Sequence, residues 1–176
     1  MRVHLLLMPL LPVLVVLSAA PALAQGQKPP PVVEAIGGYT GFADDGGLIP
    51  HAVIGGGARL FATRRIAIGP EILYMVGPKP DHDFLLSASV TFDLRREIEH
   101  GTARRVVPYL VANAGQLRHW GEDLPPGRSS TGLLISFGGG ARLAIGPRIF
   151  VAPELRFGVE PHLRFCVSVG IRPGRP

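Results

Sequence analysis

The chain has 176 residues, a single cysteine and a formal net charge of +5 at pH 7. This length suits one domain, and a single cysteine excludes a disulfide framework within the chain. The charge is modest and its basic residues form no extended run, which excludes a nucleic-acid-binding surface.

The first 24 residues have the pattern of a cleaved secretory signal peptide. Arg2 supplies the positive charge, residues 5–17 the apolar core, and Ala22-Leu23-Ala24 the small-residue cleavage motif. Pro9 and Pro12 interrupt the apolar run, which is too short for a transmembrane helix. We therefore predict that residues 1–24 are removed on export, and no cysteine follows the cleavage motif to carry a lipid anchor.

Beyond a proline-rich lead-in at residues 25–31, apolar and polar residues alternate with a period of two, as in β-strands with two unlike faces. The alternation is clearest over 66–76, 84–95, 149–159 and 163–172. Four weaker candidate strands, rich in glycine, alanine and β-branched or aromatic residues, are 32–42, 51–62, 105–116 and 131–144. The sequence thus predicts about eight strands and an all-β fold.

The connections between these strands alternate in length. Tight turns at Thr63-Arg64 and Gly146-Pro147 contrast with longer polar connections at 43–50, 77–83 and 117–130. Short turns on one rim and longer loops on the other are typical of an up-and-down β-barrel. Two connections do not follow this pattern, because 97–104 is long for a turn and 159–162 is short for a loop.

An internal repeat supports the strand count. A shift of 83 residues aligns two Gly-Gly-Gly-Ala-Arg-Leu segments without a gap. The aligned pairs are 55–60 with 138–143, Arg65-Ile66 with Arg148-Ile149, and Pro70-Glu71 with Pro153-Glu154. Because 83 residues hold about four strands with their connections, two similar four-stranded halves are predicted.

The residues on the two faces of each strand indicate whether the barrel lies in water or in a membrane. Alternation over 10–12 residues matches the 9–11 residues that a tilted strand needs to cross a bilayer, whereas soluble strands are usually shorter. A membrane barrel turns its apolar face to lipid and its small and charged face inward, and several aromatic residues could lie at the membrane interfaces. The predicted inward charges are Glu34, Arg59, Glu71, Asp93, Arg142, Glu154, Arg156 and Arg164.

These features resemble the small outer-membrane β-barrels of the OmpA transmembrane domain and OmpX type. The resemblance covers 32–172, including the segment 106–115, and leaves 173–176 as a tail. It implies an eight-stranded antiparallel barrel in the outer membrane, in contact with its lipids and inserted by the barrel-assembly machinery. The chain departs from the family in one respect, because it lacks the C-terminal aromatic residue that the assembly machinery reads.

The sequence predicts no catalytic residue, metal or cofactor. None of the histidines from His51 onward has a serine two positions later, the spacing found in deacylase-like barrels. A lipid A-modifying enzyme using His119 with Glu122, Asp123, Ser129 or Ser130, and a soluble periplasmic ligand-binding barrel, remain the alternatives to a structural or surface-interaction role. Asp81, His82 and Asp83 are not expected to form a metal site, because adjacent residues rarely converge on one ion.

Two smaller expectations concern the rim and the last strand. Lys79, Arg118, His119 and Arg128 are candidates to bind lipopolysaccharide phosphates from the longer loops. Cys166 is interpreted as a small inward-facing filler.

Overall fold

The structure is a computed structural model that describes residues 28–44, 46–78, 81–95, 98–99, 102–103, 106–121, 125, 128–159 and 162–173. The predicted signal peptide, residues 25–27 of the lead-in and most of the C-terminal tail lie outside these residues. Within them, no helix has the length and apolar character needed to cross a bilayer.

The described residues form ten β-strands, of which eight are long and two have only two residues each. In chain order they are β1 (Val32–Asp44), β2 (Gly47–Phe61), β3 (Ile66–Val76), β4 (His82–Asp93), β5 (Ile98–Glu99), β6 (Thr102–Ala103), β7 (Val106–Trp120), β8 (Ser130–Ala144), β9 (Ile149–Val159) and β10 (His162–Ile171).

The eight long strands close into an antiparallel barrel. Each pairs with its neighbour along the chain, β4 pairs with β7, and β10 returns to β1. The closing ladder runs from Val33 opposite Ile171 to Phe42 opposite His162. The small strands β5 and β6 form a separate hairpin between β4 and β7. The predicted all-β, eight-stranded antiparallel barrel is confirmed.

Two connections differ from those predicted. Strands β1 and β2 reach Asp44 and Gly47, so the loop expected at 43–50 shrinks to two residues, and Gly47 takes a φ of 127° that favours glycine. Strand β7 continues to Trp120 through residues expected in a loop. The polar pair Arg118-His119 hid this extension from a hydrophobicity pattern, yet its backbone pairs on both sides, with β4 and β8.

The 83-residue offset coincides with the strand bounds. It carries Gly47–Phe61 onto Ser130–Ala144 and Ile66–Val76 onto Ile149–Val159, so hairpins β2–β3 and β8–β9 are equivalent. The two hairpins hold the second and third strands of each half of the barrel.

The barrel wall has an apolar outer face and a mixed inner face. Each long strand points large apolar side chains outward. Ile54 and Tyr39, each 67% exposed, are examples. Three exposed aromatic pairs lie across neighbouring strands in register: Tyr39 with Phe165, Tyr74 with Phe84, and Phe137 with Phe157. Inside, two separate apolar clusters accompany the buried charges, one around Leu73 and Met75 and one around Phe150 and Tyr109.

Candidate functional site

All eight charged residues predicted to face inward are buried inside the barrel. None has more than 8% of its surface exposed, and four are cationic while four are acidic. They are Glu34 on β1, Arg59 on β2, Glu71 on β3, Asp93 on β4, Arg142 on β8, Glu154 and Arg156 on β9, and Arg164 on β10.

Glu71 is the acceptor at the centre of this set. Its carboxylate accepts two hydrogen bonds from Arg156, at 2.8 and 3.1 Å, and one from Arg164 at 2.8 Å. Asn113 donates a longer bond of 3.4 Å. Strands β3 and β9 lie four places apart in either direction around the ring, so the Glu71–Arg156 pair spans the barrel diameter.

A second acceptor, Glu154, extends the network toward the opposite wall. It accepts from the Nε of Arg156 and from the hydroxyl of Tyr109 at 2.9 Å, and lies 3.8 Å from an Nη of Arg59. Arg59 in turn donates to Glu34 at 2.6 Å. Three arginines and three glutamates thus form one continuous chain of contacts across the interior.

The remaining pair, Arg142 and Asp93, is joined to this chain by an aromatic ring. Arg142 donates to Asp93. The ring of Tyr109 lies between the two arginine groups, 5.4 Å from the guanidinium of Arg59 and 5.0 Å from that of Arg142. Contacts of this length are cation–π interactions, which become stronger where water is excluded.

The second glycine triplet makes room for these large side chains. A Cβ on Gly138 would lie 2.9 Å from the Arg156 Cγ, and one on Gly140 would lie 2.8 Å from the Tyr109 hydroxyl. The carbonyl oxygens of Leu155 and Pro153 on β9 would be nearer still, so Gly138 and Gly140 are required by close approach of both the neighbouring backbone and the interior side chains.

A different cluster lies at the loop end of the barrel. His51 Nε2 is 3.0 Å from Asp81 Oδ2 and 3.4 Å from Asp83 Oδ2, while His119 Nδ1 is 2.8 Å from Asp83 Oδ1 and 3.4 Å from Asp81 Oδ1. Each carboxylate therefore presents one oxygen to each histidine. The two carboxylates lie between the two imidazoles, and the four side chains together form a compact polar site.

This mouth cluster, defined as His51, Asp81, Asp83 and His119, borders a cavity of about 510 Å³. The other walls of the cavity are mostly apolar or hydroxyl-bearing: Phe42, Ala43, Ile49, Leu117, Ser130, Thr131 and Gly132. His51 and Asp83 are buried, whereas Asp81 and His119 are partly exposed. A small polar ligand could therefore reach the cluster from the cavity.

The side chains of Asp81, His82 and Asp83 do not converge on one place. The two carboxylates turn to the mouth cluster, but the ring of His82 stacks on Trp120 with 5.3 Å between ring centres. His51 lies beside both carboxylates, and its contact with them was not predicted. Its position opposite Thr40 on β2 fits the strand predicted over 51–62, but alternation within that strand could not show which residues it meets from the turn before β4.

The candidate lipopolysaccharide residues fall into three groups. Arg118 is exposed, donates to Ser129 at 2.9 Å and lies 4.9 Å above the Trp120 ring. Arg128 is also exposed, whereas Lys79 lies outside the described residues. His119 differs from them, because its ring turns to the carboxylates of the mouth cluster.

The remaining candidates do not form a catalytic arrangement in the described part of the chain. Ser129 accepts its hydrogen bond from Arg118, and Glu122 and Asp123 lie outside the described residues. Cys166 is buried in the apolar cluster around Leu73.

Comparisons with known proteins identify the architecture. No protein-family model matches the chain. No curated protein matches it either. Among solved structures, Neisserial surface protein A superposes with a TM-score of 0.67 at 14% identity, covering 81% of this chain and 96% of that one. The N-terminal β-barrel domain of Pseudomonas aeruginosa OprF gives a TM-score of 0.60 at 15% identity, covering 82% and 98%. Both are small outer-membrane barrels, so the resemblance stated from the sequence is confirmed at the level of the fold.

Proposed function

We propose that this protein is an integral outer-membrane β-barrel with a packed polar interior and a structural or surface-interaction role that involves no catalysis. The observation that carries the proposal is the sidedness of the wall. Apolar side chains cover its outer face, and its paired charges are inside.

Water is a poor solvent for such an outer face. Ile54, Leu133 and Val159 are each more than 60% exposed, and 28 large apolar side chains are exposed within the described residues. Monomeric soluble proteins rarely expose contiguous apolar patches larger than several hundred Å². A soluble periplasmic barrel would place these side chains inside and the arginines outside, so lipid is the solvent that this wall fits.

The exposed aromatic pairs support a membrane position. Tyr39, Tyr74 and Phe84 lie in the halves of their strands nearer the rim that carries the mouth cluster. Tyrosine and tryptophan side chains collect at the boundary between hydrocarbon and headgroups, because their rings are amphipathic. We assign Tyr39 and Tyr74, with the phenylalanines paired to them, to the interface on the side of the mouth cluster.

Export and assembly complete this proposal. Residues 1–24 serve as the signal peptide, 25–31 as the lead-in, 32–172 as the barrel and 173–176 as the tail. The barrel-assembly machinery inserts the chain, and Phe165 is the aromatic residue of β10 available to it.

Three cations near one rim of the barrel are candidates for contact with lipid headgroups. We propose that Arg118, Arg128 and Lys79 bind lipopolysaccharide phosphates from the loop end. Arg118 is held beside the membrane interface by Trp120 and Ser129. Substituting all three by glutamine is expected to reduce lipopolysaccharide co-purification, and unchanged co-purification would contradict this assignment.

Cell fractionation tests the main proposal. The protein is expected in the outer membrane, and its band on a detergent gel is expected to shift when the sample is heated, because a closed barrel stays folded in detergent until heating. Sequencing the mature N-terminus should give Gln25. Recovery of the protein in the soluble periplasm, without a heat-shifted band, would contradict the membrane assignment.

A further inference from the structure

We propose that the mouth cluster binds one divalent transition-metal ion, of which Zn²⁺ is the reference. The ligands are His51 Nε2, Asp81 Oδ2 and Asp83 Oδ2, and His119 holds the Asp83 carboxylate through its other oxygen. This site goes beyond the membrane-barrel function and does not depend on it.

The convergence of three ligand atoms is the first argument. One ligand atom from each of His51, Asp81 and Asp83 lies within 4.8 Å of the others. Four-coordinate zinc has bond lengths near 2.0–2.1 Å, so neighbouring tetrahedral ligands are about 3.3 Å apart. The distances from His51 Nε2 to the two carboxylate oxygens, 3.0 and 3.4 Å, bracket that value.

The hydrogen bonding of His51 gives an independent argument. Its other ring nitrogen, Nδ1, lies 3.2 Å from the carbonyl oxygen of Ile49, a contact in which the nitrogen must donate. Nε2 is thus the ring nitrogen available to a metal ion, and it faces the two carboxylate oxygens. A metal-binding histidine usually donates its other ring N–H to a backbone carbonyl or a carboxylate in this way.

One of the two carboxylates is supported in the same way. The Oδ1 of Asp83 lies 2.8 Å from His119 Nδ1, within hydrogen-bond distance, whereas the Oδ1 of Asp81 is 3.4 Å away and has no hydrogen-bond partner among the described residues. His119 therefore orients the Asp83 carboxylate and leaves its other oxygen directed to His51. Ligating carboxylates are generally hydrogen-bonded by such an outer group. His119 is therefore a positioning residue of the site.

The backbone also leaves space beside the ligand nitrogen. A Cβ on Gly77 would lie 2.5 Å from His51 Nε2, and the amide of Gly77 donates to the carbonyl of Asp81 at 2.8 Å. The turn that carries Asp81 is thus closed by a glycine whose missing side chain keeps Nε2 accessible.

One nitrogen and two carboxylate oxygens favour zinc or a similar first-row ion. Mg²⁺ and Ca²⁺ prefer sets made only of oxygen, whereas imidazole suits zinc, iron, nickel and copper. A coordination position open to the 510 Å³ cavity could hold water or an anionic group.

Titration calorimetry tests the site. The full mature chain is purified folded and without a polyhistidine tag, and Zn²⁺ is added in the presence of excess Mg²⁺. We expect one Zn²⁺ per barrel. We expect Zn²⁺ binding to weaken at least tenfold in each of the ligand variants His51→Ala, Asp81→Asn and Asp83→Asn. His119→Gln should weaken it about 10- to 100-fold, because loss of a group that orients a metal ligand has an effect of that size. His82→Ala, the adjacent histidine stacked on Trp120, is the matched control and should bind normally.

A further variant distinguishes loss of Zn²⁺ binding from loss of folding. Gly77→Ala removes no ligand but places a methyl group against Nε2, and it should also weaken Zn²⁺ binding, with the heat-shifted gel band retained. Absence of stoichiometric Zn²⁺ binding to the wild-type barrel would overturn the proposal and identify His51 as an imidazolium paired with the carboxylates. Equal binding by wild type and His51→Ala would overturn it as well.

Discussion

The carboxylate of Glu71 links two buried arginines of the barrel interior. Arg156 and Arg164 both donate to it, and all three side chains are buried. Desolvation of such charges is costly, and their mutual contacts offset it only while each has a partner. Loss of a single carboxylate therefore affects two cations together.

We expect Glu71→Gln to lower the free energy of unfolding by about 3–5 kcal/mol, because it leaves the buried Arg164 without its carboxylate partner and Arg156 with Glu154 alone. Urea unfolding of the barrel in lipid vesicles measures the change. Arg148→Gln, an exposed turn residue, also removes one charge and should change the stability little. Equal stability of Glu71→Gln and wild type would show that Glu71 does not neutralise these arginines.

Gly140→Ala should destabilise the barrel through overpacking. The added methyl group would press on the Tyr109 hydroxyl and displace it from Glu154, at a cost of about 1–3 kcal/mol. Gly37→Ala is the matched strand control, since its nearest neighbour would be 3.9 Å away. The free energies of unfolding of the two variants are compared by urea unfolding in lipid vesicles. Similar values would contradict the inference that position 140 has no room for a side chain.

The period of two was enough to predict which charged residues face inward, because side chains alternate across a strand. It could not assign partners. Glu71 meets Arg156 across the diameter, a contact that depends on closure and strand order. His51 was missed for a related reason: its carboxylate partner Asp81 is 30 residues away and meets it only when β2 and the turn before β4 are brought together.

At the scale of elements, the two equivalent hairpins place matching charges at matching depths. Arg59 and Arg142 are related by the 83-residue offset, as are Glu71 and Glu154, and all four are buried. The bounds of β3 and β9 were predicted from sequence, because a tight turn before each and steady alternation mark both. The loop-side ends of β1, β2 and β7 were not, because backbone pairing continues there after the alternation stops.

The pairing of β1 with β10, the seam that closes the barrel, can be tested by crosslinking. Ala35 and Val169 lie opposite each other on the outer face. Paired residues in antiparallel strands have Cα atoms about 4.5–5.5 Å apart, within disulfide range. In a Cys166→Ala background, Ala35→Cys with Val169→Cys should therefore oxidise to a cyclised chain, seen as altered mobility of the unfolded protein on a non-reducing gel.

Val151→Cys with Ala35→Cys is the control for this seam. Val151 lies on β9, opposite Val169 but one strand beyond β10, so its Cα should be about 10 Å from that of Ala35 and outside disulfide range. Equal crosslinking of the two pairs would contradict the assigned strand order.

At the scale of the whole molecule, closure and filling act together. An eight-stranded barrel has an interior wide enough only for side chains. Here a diametric ion pair crosses it and apolar clusters accompany the charged layer. Within the residues that the structure describes, the interior is thus filled by side chains, which supports the proposed surface or structural role over a pore.

This filling predicts that the wild-type barrel does not form a stable conducting pore. In planar bilayers we expect no steady conductance steps, in contrast to a 16-stranded porin measured in the same way, because such porins enclose a water-filled channel. Glu71→Ala combined with Arg156→Ala removes the pair that spans the diameter and should introduce a measurable leak, provided that the heat-shifted band shows a folded barrel. Wild-type steps as large as those of the double variant would mean that the charged layer does not block the interior.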